Sequence, residues 1–150
     1  AGQKHRNLMF KKNFFLSLVF SLSAFFVVSS RANFYGDYPR FDVPIHFLGG
    51  LVAALFFVLF FEKTISGLPA FSLAVFVFGG TALAGVLWEF TEWATDRFLP
   101  ALIPGFHVNQ LGLNDTLGDL LVDLLGAAAL LFFYFFRFNF APRLKNKRHV

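Results

Sequence analysis

Seven side chains carry most of the chemistry open to this chain: Asp42, His46, Glu89, Glu92, Asp115, Asp119 and Asp123. Asp42 and His46 stand four apart, so on a helix they share a face, and Pro44 between them suits a first turn. Glu89, Glu92 and Asp96 follow an i, i+3, i+7 pattern, again one face. Asp115, Asp119 and Asp123 are spaced i, i+4, i+8. They drift by about 40° per step and cover about 12 Å of helix axis. Six acids facing one histidine leave two ways to balance charge: several acids hold protons, or a cation sits among them. Carboxylates with one imidazole suit a divalent ion such as Mg, Mn, Ca or Zn. The expected metal set is His46, Glu89, Asp115, Asp119 and Asp123, with Glu89 or Glu92 as catalytic base and Asp42 as a further polar member. The chain has no cysteine, which excludes disulfides, thiolate nucleophiles, iron–sulfur clusters and zinc–thiolate sites.

The elements that must position these groups follow from composition. The chain has 150 residues, room for one domain, of which 57% are hydrophobic, 15% are charged and 25 are Phe. A soluble monomer of this size could not cover that apolar surface, and a disordered chain would be polar and poor in aromatics. The expectation is an all-α membrane protein, a bundle of four transmembrane helices with both termini cytoplasmic. The spans fall at about 13–30, 43–61, 70–94 and 116–136, each near the roughly 20 residues that cross a bilayer core. A basic N-terminus, residues 1–12, and a basic tail, residues 137–150, flank the bundle of residues 13–136. Strand-like alternation is absent, so a β-barrel is not expected.

Orientation follows from the positive residues. Ten of the 13 Lys and Arg lie before the first span, after the fourth, or at Lys63 between the second and third. Only Arg31, Arg40 and Arg97 lie on the other side, so the positive-inside rule places both ends in the cytoplasm. The only methionine is Met9, and Met9-Phe10-Lys11-Lys12 reads as a natural start, so residues 1–8 are expected as an upstream in-frame extension or an expression remnant. Ser30-Arg31-Ala32 resembles a signal-peptide cleavage site, but the apolar run before it exceeds the usual 7–15 residues or so. An uncleaved first helix is the expectation. The stretch Thr95–Asn114 is too apolar for a free loop and is expected as an interfacial or re-entrant segment over the outer mouth.

With this topology the acids and His46 share one leaflet although they come from distant parts of the chain, and the cytoplasmic halves of the same helices hold almost no charge. Ionisable groups inside a span are functional candidates by default. Gly49, Gly50, Gly79, Gly80, Gly85, Gly118 and Gly126 lie beside them and are expected as packing surface. Plainer roles stand next to the chemical ones. Asp115 behind Asn114 could cap the fourth helix, Glu92 beside Trp93 could belong to an interfacial belt, and His46 could be a satisfied core histidine. His107 and Asn109 could reach the site from above, although exposure in the outer loop is the plainer expectation.

The order D-V-P-I-H-F-L-G-G, W-E-F-T-E-W and N-D-T-L-G-D-L-L-V-D-L-L-G-A resembles the YjdF-like family of small bacterial membrane proteins over about Asp42–Ala127. That resemblance implies a D-x-x-x-H-F stretch, an E-x-x-E-W stretch and a D-T-x-x-D-x-x-x-D stretch on successive helices, and it carries over to Asp42, His46, Glu89, Glu92, Asp115, Asp119 and Asp123. A looser version of the order is similar to VanZ-like proteins, associated with glycopeptide-antibiotic tolerance at the cell envelope. Neither resemblance implies an established reaction.

Three functions follow as expectations. The first is metal-dependent chemistry on an envelope lipid or lipid-linked substrate, from a site facing the extracytoplasmic side. The second is cation or proton transport, which would need a homo-oligomeric pore because the chain shows no internal repeat. The third is a non-catalytic envelope binding protein. The expected partner is the lipid bilayer, including a lipid headgroup; the basic residues at the two ends suit anionic headgroups, and no nucleic-acid motif is visible.

Overall fold

A computed structural model describes residues 2–32, 37, 38, 40–106 and 110–145. It is helical, with no strand among the described residues. The elements are α1 (Gly2–Arg31), α2 (Asp42–Phe60), the single turn α3 (Glu62–Ile65), α4 (Ala70–Leu102) and α5 (Leu113–Lys145). Four of these hold segments long and apolar enough to cross a membrane: Lys12–Ser29, Asp42–Phe60, Ala70–Leu102 and Leu113–Arg137. Helices are the open-chain solution in hydrocarbon, because every backbone donor and acceptor is met within the element.

The turns sit where the chain chemistry puts them. Arg40 adopts φ 81°, the left-handed region, and swings the chain into the first turn of α2, where Asp42 and Pro44 sit. Pro44 has no N–H to lose at that position. Phe61 closes α2 by donating its N–H to the Phe57 carbonyl at 3.1 Å. Gly105 and Gly112, at φ 76° and 112°, reverse the chain between α4 and α5.

One expectation is corrected. Helix α4 does not stop near Ala94 but continues to Leu102, through Pro100. Proline in a helix interior removes its own N–H bond and crowds the carbonyl four residues back. Here the next turn closes regardless, with the Ile103 N–H on the Leu99 carbonyl at 2.7 Å. At about 1.5 Å per residue, α4 is longer than a hydrocarbon core about 30 Å thick. Its last turns therefore project past the core.

Helix α2 packs most extensively on α5, less on α4, and least on α1. The α2–α5 approach is set by glycine. A Cβ on Gly50 would strike the Asp123 backbone, and one on Gly126 would strike the Phe47 carbonyl oxygen. Each helix turns one seam to the others. On α4 the seam is Leu73, Val77, Thr81, Gly85, Glu89 and Glu92, all buried. On α5 it is Asp119, Asp123, Ala127 and Leu131, and on α2 it includes His46, Gly50 and Ala54. Every seam is polar at one end and apolar at the other. The apolar end is a core of Ala54, Ile65, Leu73, Val77, Ala127 and Leu131 near the α2–α4 turn. The aromatic rings Phe57, Phe61 and Phe76 pack together beside it. The polar end is the candidate site.

Candidate functional site

His46 stands at the centre of the polar end and is only 3% exposed. Its placement follows from α2: one turn after Asp42, on the face that Gly50 brings against α5. Its Nε2 lies 3.5 Å from Asp42 Oδ1 on its own helix and 3.8 Å from Asp119 Oδ2 on α5. Its Nδ1 faces Asp123 Oδ1 at 3.5 Å. The i, i+4 pair on α2 and the i, i+4 pair on α5 thus bracket one imidazole. Glu89 and Glu92 close the third side from α4, 6% and 2% exposed.

Two groups of three residues bring one ligand atom each within 4.8 Å of one another: Asp42, His46 and Asp119, and His46, Glu89 and Glu92. They share His46. Among the described residues four buried side-chain polar atoms have no hydrogen-bond partner: His46 Nε2, Glu89 Oε1, Asp119 Oδ2 and Thr81 Oγ1. A buried polar atom left unmade costs about 1–3 kcal/mol, more when charged, and three of the four lie on His46 and its neighbours in the two groups.

The remaining contacts hold the acids in place. The Trp88 indole N–H donates to Glu92 Oε1 at 3.0 Å, one turn along α4. The Gln110 side-chain amide donates to Glu89 Oε2 at 3.4 Å and to Thr116 Oγ1 at 3.3 Å. The Gln110 backbone N–H donates to Asp96 Oδ2 at 2.8 Å, which pins the loop across the outer end of α4. Glu89 therefore has one oxygen held and one free.

The seven expected site residues divide accordingly. Asp42, His46, Glu89, Glu92 and Asp119 meet in the two groups, and Asp123 reaches the cluster through His46 Nδ1. Asp115 lies in neither group. It sits in the first turn of α5 and accepts the Leu111 N–H at 2.9 Å, a helix-start bond of the capping-box kind. His107 and Asn109 lie outside the described residues. Trp88, Gln110, Thr116 and Thr81 were not anticipated at the site. The i, i+4 spacing of Trp88 and Glu92 could have suggested their bond, whereas nothing in its spacing marks Gln110.

Three cavities adjoin the cluster. A vestibule of about 280 Å³ opens between the α2 and α5 starts, with Arg40, Asp42, Asn114 and Asp119 on its walls. An apolar groove of about 300 Å³ runs beside α1, with His46 and Asp123 at its edge. A second apolar pocket, of about 320 Å³, reaches Glu89, with Val86, Trp93 and Leu120 on its walls. The cluster thus lies among a charged mouth and two apolar slots.

Comparison with known proteins places the chain among membrane proteins without a described activity. The family described as "Predicted membrane protein (DUF2238)" matches residues 2–139. An "Uncharacterized protein" of Thermotoga maritima is 36% identical over 114 residues, 73% of this chain and 56% of the relative. The chain thus spans about half the length of the curated relative it matches. No solved structure matches it. Neither description names a YjdF-like or a VanZ-like protein.

Proposed function

This chain belongs to the DUF2238 family of predicted membrane proteins, and we propose that its His/Asp/Glu cluster is a divalent-cation site serving metal-dependent chemistry on an envelope lipid or lipid-linked substrate. The observation that carries this is the shared orphan set: His46 Nε2, Asp119 Oδ2 and Glu89 Oε1, buried, without hydrogen bonds and all within the two ligand groups. An ion in either group would meet His46, with Asp119 beside it in one group and Glu89 in the other.

Each residue then has a role. His46 Nε2, Asp42 and Asp119 hold the ion. Asp123 sits behind Nδ1, the place from which a carboxylate fixes the tautomer and aim of a metal-binding histidine. Glu89, held through one oxygen by Gln110, keeps the other without a hydrogen bond as the general base, and a divalent ion, when bound, would supply Lewis-acid activation of water beside it. Trp88 fixes Glu92 beside it. Nitrogen and oxygen ligands suit Zn, Mg, Mn or Ca. The positive-inside distribution puts the site toward the extracytoplasmic leaflet, at headgroup depth. Lipid chemistry ranks above transport because the α4 seam below Thr81 turns to Val77 and Leu73, which offer a cation no ligand.

The test is elemental mass spectrometry on gently purified protein, with His46→Ala beside it. Near-stoichiometric metal in the wild type and its loss in the variant are expected. Metal in neither would overturn the ion and leave protonated acids as the charge balance.

A further inference from the structure

Helix α1 stands off the rest of the bundle. It touches α2 through two aromatic clasps, Phe15 on Phe56 and Phe60 at one end and Phe25 on Phe41 at the other, with ring centroids 4.9–5.8 Å apart. Between the clasps lies the groove of about 300 Å³, walled by Val19 of α1, Ala53 of α2 and Ala84 of α4. From His46 to Phe56 it follows ten residues of α2, about 15 Å of axis at 1.5 Å per residue. That is the shape of a chain rather than of a compact ligand. Its walls are almost wholly carbon, and water is stable in a cavity only with two to four polar partners or so. The solvent at this depth of a membrane is hydrocarbon.

Five polar side chains interrupt the wall: Ser23, His46, Thr81, Trp88 and Asp123. Thr81 Oγ1 lines the groove, is fully buried and has no hydrogen-bond partner. A hydroxyl inside a helix ordinarily donates to the preceding turn, as Thr91 does to the Leu87 carbonyl and Ser29 to the Phe25 carbonyl, each at 2.8 Å. Thr81 does not, and so keeps a donor for whatever fills the groove. It lies one turn deeper along α4 than Gly85, which sits against the Asp123 carboxylate. An ester carbonyl lies a similar step below the headgroup of a glycerolipid.

We propose that this groove binds one acyl chain of an ester-linked bilayer lipid, with Thr81 donating to the ester carbonyl and the headgroup end delivered to His46 and Asp123. The inference deepens the lipid reading of the site above and rests on it for the role of the headgroup. The groove and its occupant stand on their own observations.

The test reconstitutes the full chain in vesicles of phosphatidylethanolamine doped with a phospholipid carrying a diazirine on its acyl chain. After photolysis, labelled peptides are mapped. Label should concentrate at Val19, Ala53 and Ala84 rather than at the lipid-facing Phe71, Phe132 and Phe133, which are 81%, 67% and 69% exposed. Ala53→Phe, which fills the groove without touching the acids, should cut groove labelling at least fivefold. Thr81→Val should abolish the preference of the wild type for an ester-linked over an ether-linked probe. Even labelling of groove and outer face, undiminished labelling in Ala53→Phe, or stronger labelling by a polyprenyl phosphate probe would overturn the proposal. Metal content measured on the same preparations separates the two readings. Groove labelling without metal overturns the ion alone, and metal without groove labelling overturns the groove alone.

Discussion

Gly126 is the most exposing place to test how α2 and α5 meet. A Cβ there would strike the Phe47 carbonyl oxygen, with the Leu51 nitrogen at 2.7 Å and the Gly50 carbonyl carbon at 3.2 Å. All three are backbone atoms, so no side chain can swing aside. Moving the Leu51 contact from 2.7 Å to an ordinary 3.4 Å opens the helices by at least about 0.7 Å, and the closer Phe47 carbonyl asks for more. The contact between His46 Nδ1 and Asp123 Oδ1, now 3.5 Å, would then pass about 4 Å, beyond hydrogen-bonding range. Overpacking of this kind costs about 1–3 kcal/mol, and the better helix propensity of alanine offsets about 1 kcal/mol. Gly126→Ala should therefore lose up to about 2 kcal/mol in reversible unfolding from detergent micelles. Gly79→Ala, where a Cβ meets nothing within 4 Å, should be neutral or more stable. Cation affinity, where measured, should fall about 10–100-fold in Gly126→Ala because the carboxylate behind the histidine has moved. A Gly126→Ala protein as stable as Gly79→Ala would refute the close approach, and with it the reason His46 and Asp123 meet.

Two further outcomes follow from the same geometry. Asp119→Asn keeps the size of the side chain but removes a charged oxygen whose nearest site partner is His46 Nε2 at 3.8 Å. It should abolish metal retention with the unfolding midpoint preserved, and unchanged metal in the folded variant would sink Asp119 as a ligand. A reporter fused after Lys63 should read cytoplasmic. A periplasmic signal would invert the bundle and move the site to the inner leaflet.

The helices were legible because hydrocarbon leaves the backbone so few options. The expected second span, 43–61, differs by one residue at each end from the helix Asp42–Phe60. Spacing was also reliable within an element: Asp42 and His46, four apart, do come within 3.5 Å. It was less reliable between elements. A spacing defines a face of one helix, but not how that helix is rotated or how closely it approaches its neighbour. On α5 the 40° or so of drift per i, i+4 step carries Asp115 away from the groups that Asp119 joins. Its carboxylate turns instead to the Leu111 N–H. The glycines looked like generic packing surface, yet Gly50 and Gly126 decide the distance at which imidazole meets carboxylate. Helix α4 runs past 94, the expected end of its span, and the turn beyond Pro100 closes without the missing N–H. Gln110 was invisible because its role depends on a loop returning over α4, which no local pattern encodes.

The cluster and the groove share a boundary, and the boundary is made of two residues. His46 presents Nε2 to Asp42 and Asp119 and Nδ1 to Asp123, while both His46 and Asp123 also line the groove. An ion on Nε2 would draw charge toward the vestibule side, where Arg40 and Asn114 lie. An acyl chain would enter from the opposite side, between the clasps of α1. A glycerolipid held in this way has its hydrophobic end in the apolar slot that reaches His46 and Asp123, and its polar end against the only histidine in the described spans. The six acids around that histidine are then not an excess of charge. Asp123 faces the imidazole at Nδ1, Asp42 and Asp119 face it at Nε2, Glu89 is held through one oxygen by Gln110, Glu92 is held by Trp88, and Asp115 begins a helix. His46 Nε2, Asp119 Oδ2 and Glu89 Oε1 keep no hydrogen bond among these contacts, and that is what the proposed ion would answer.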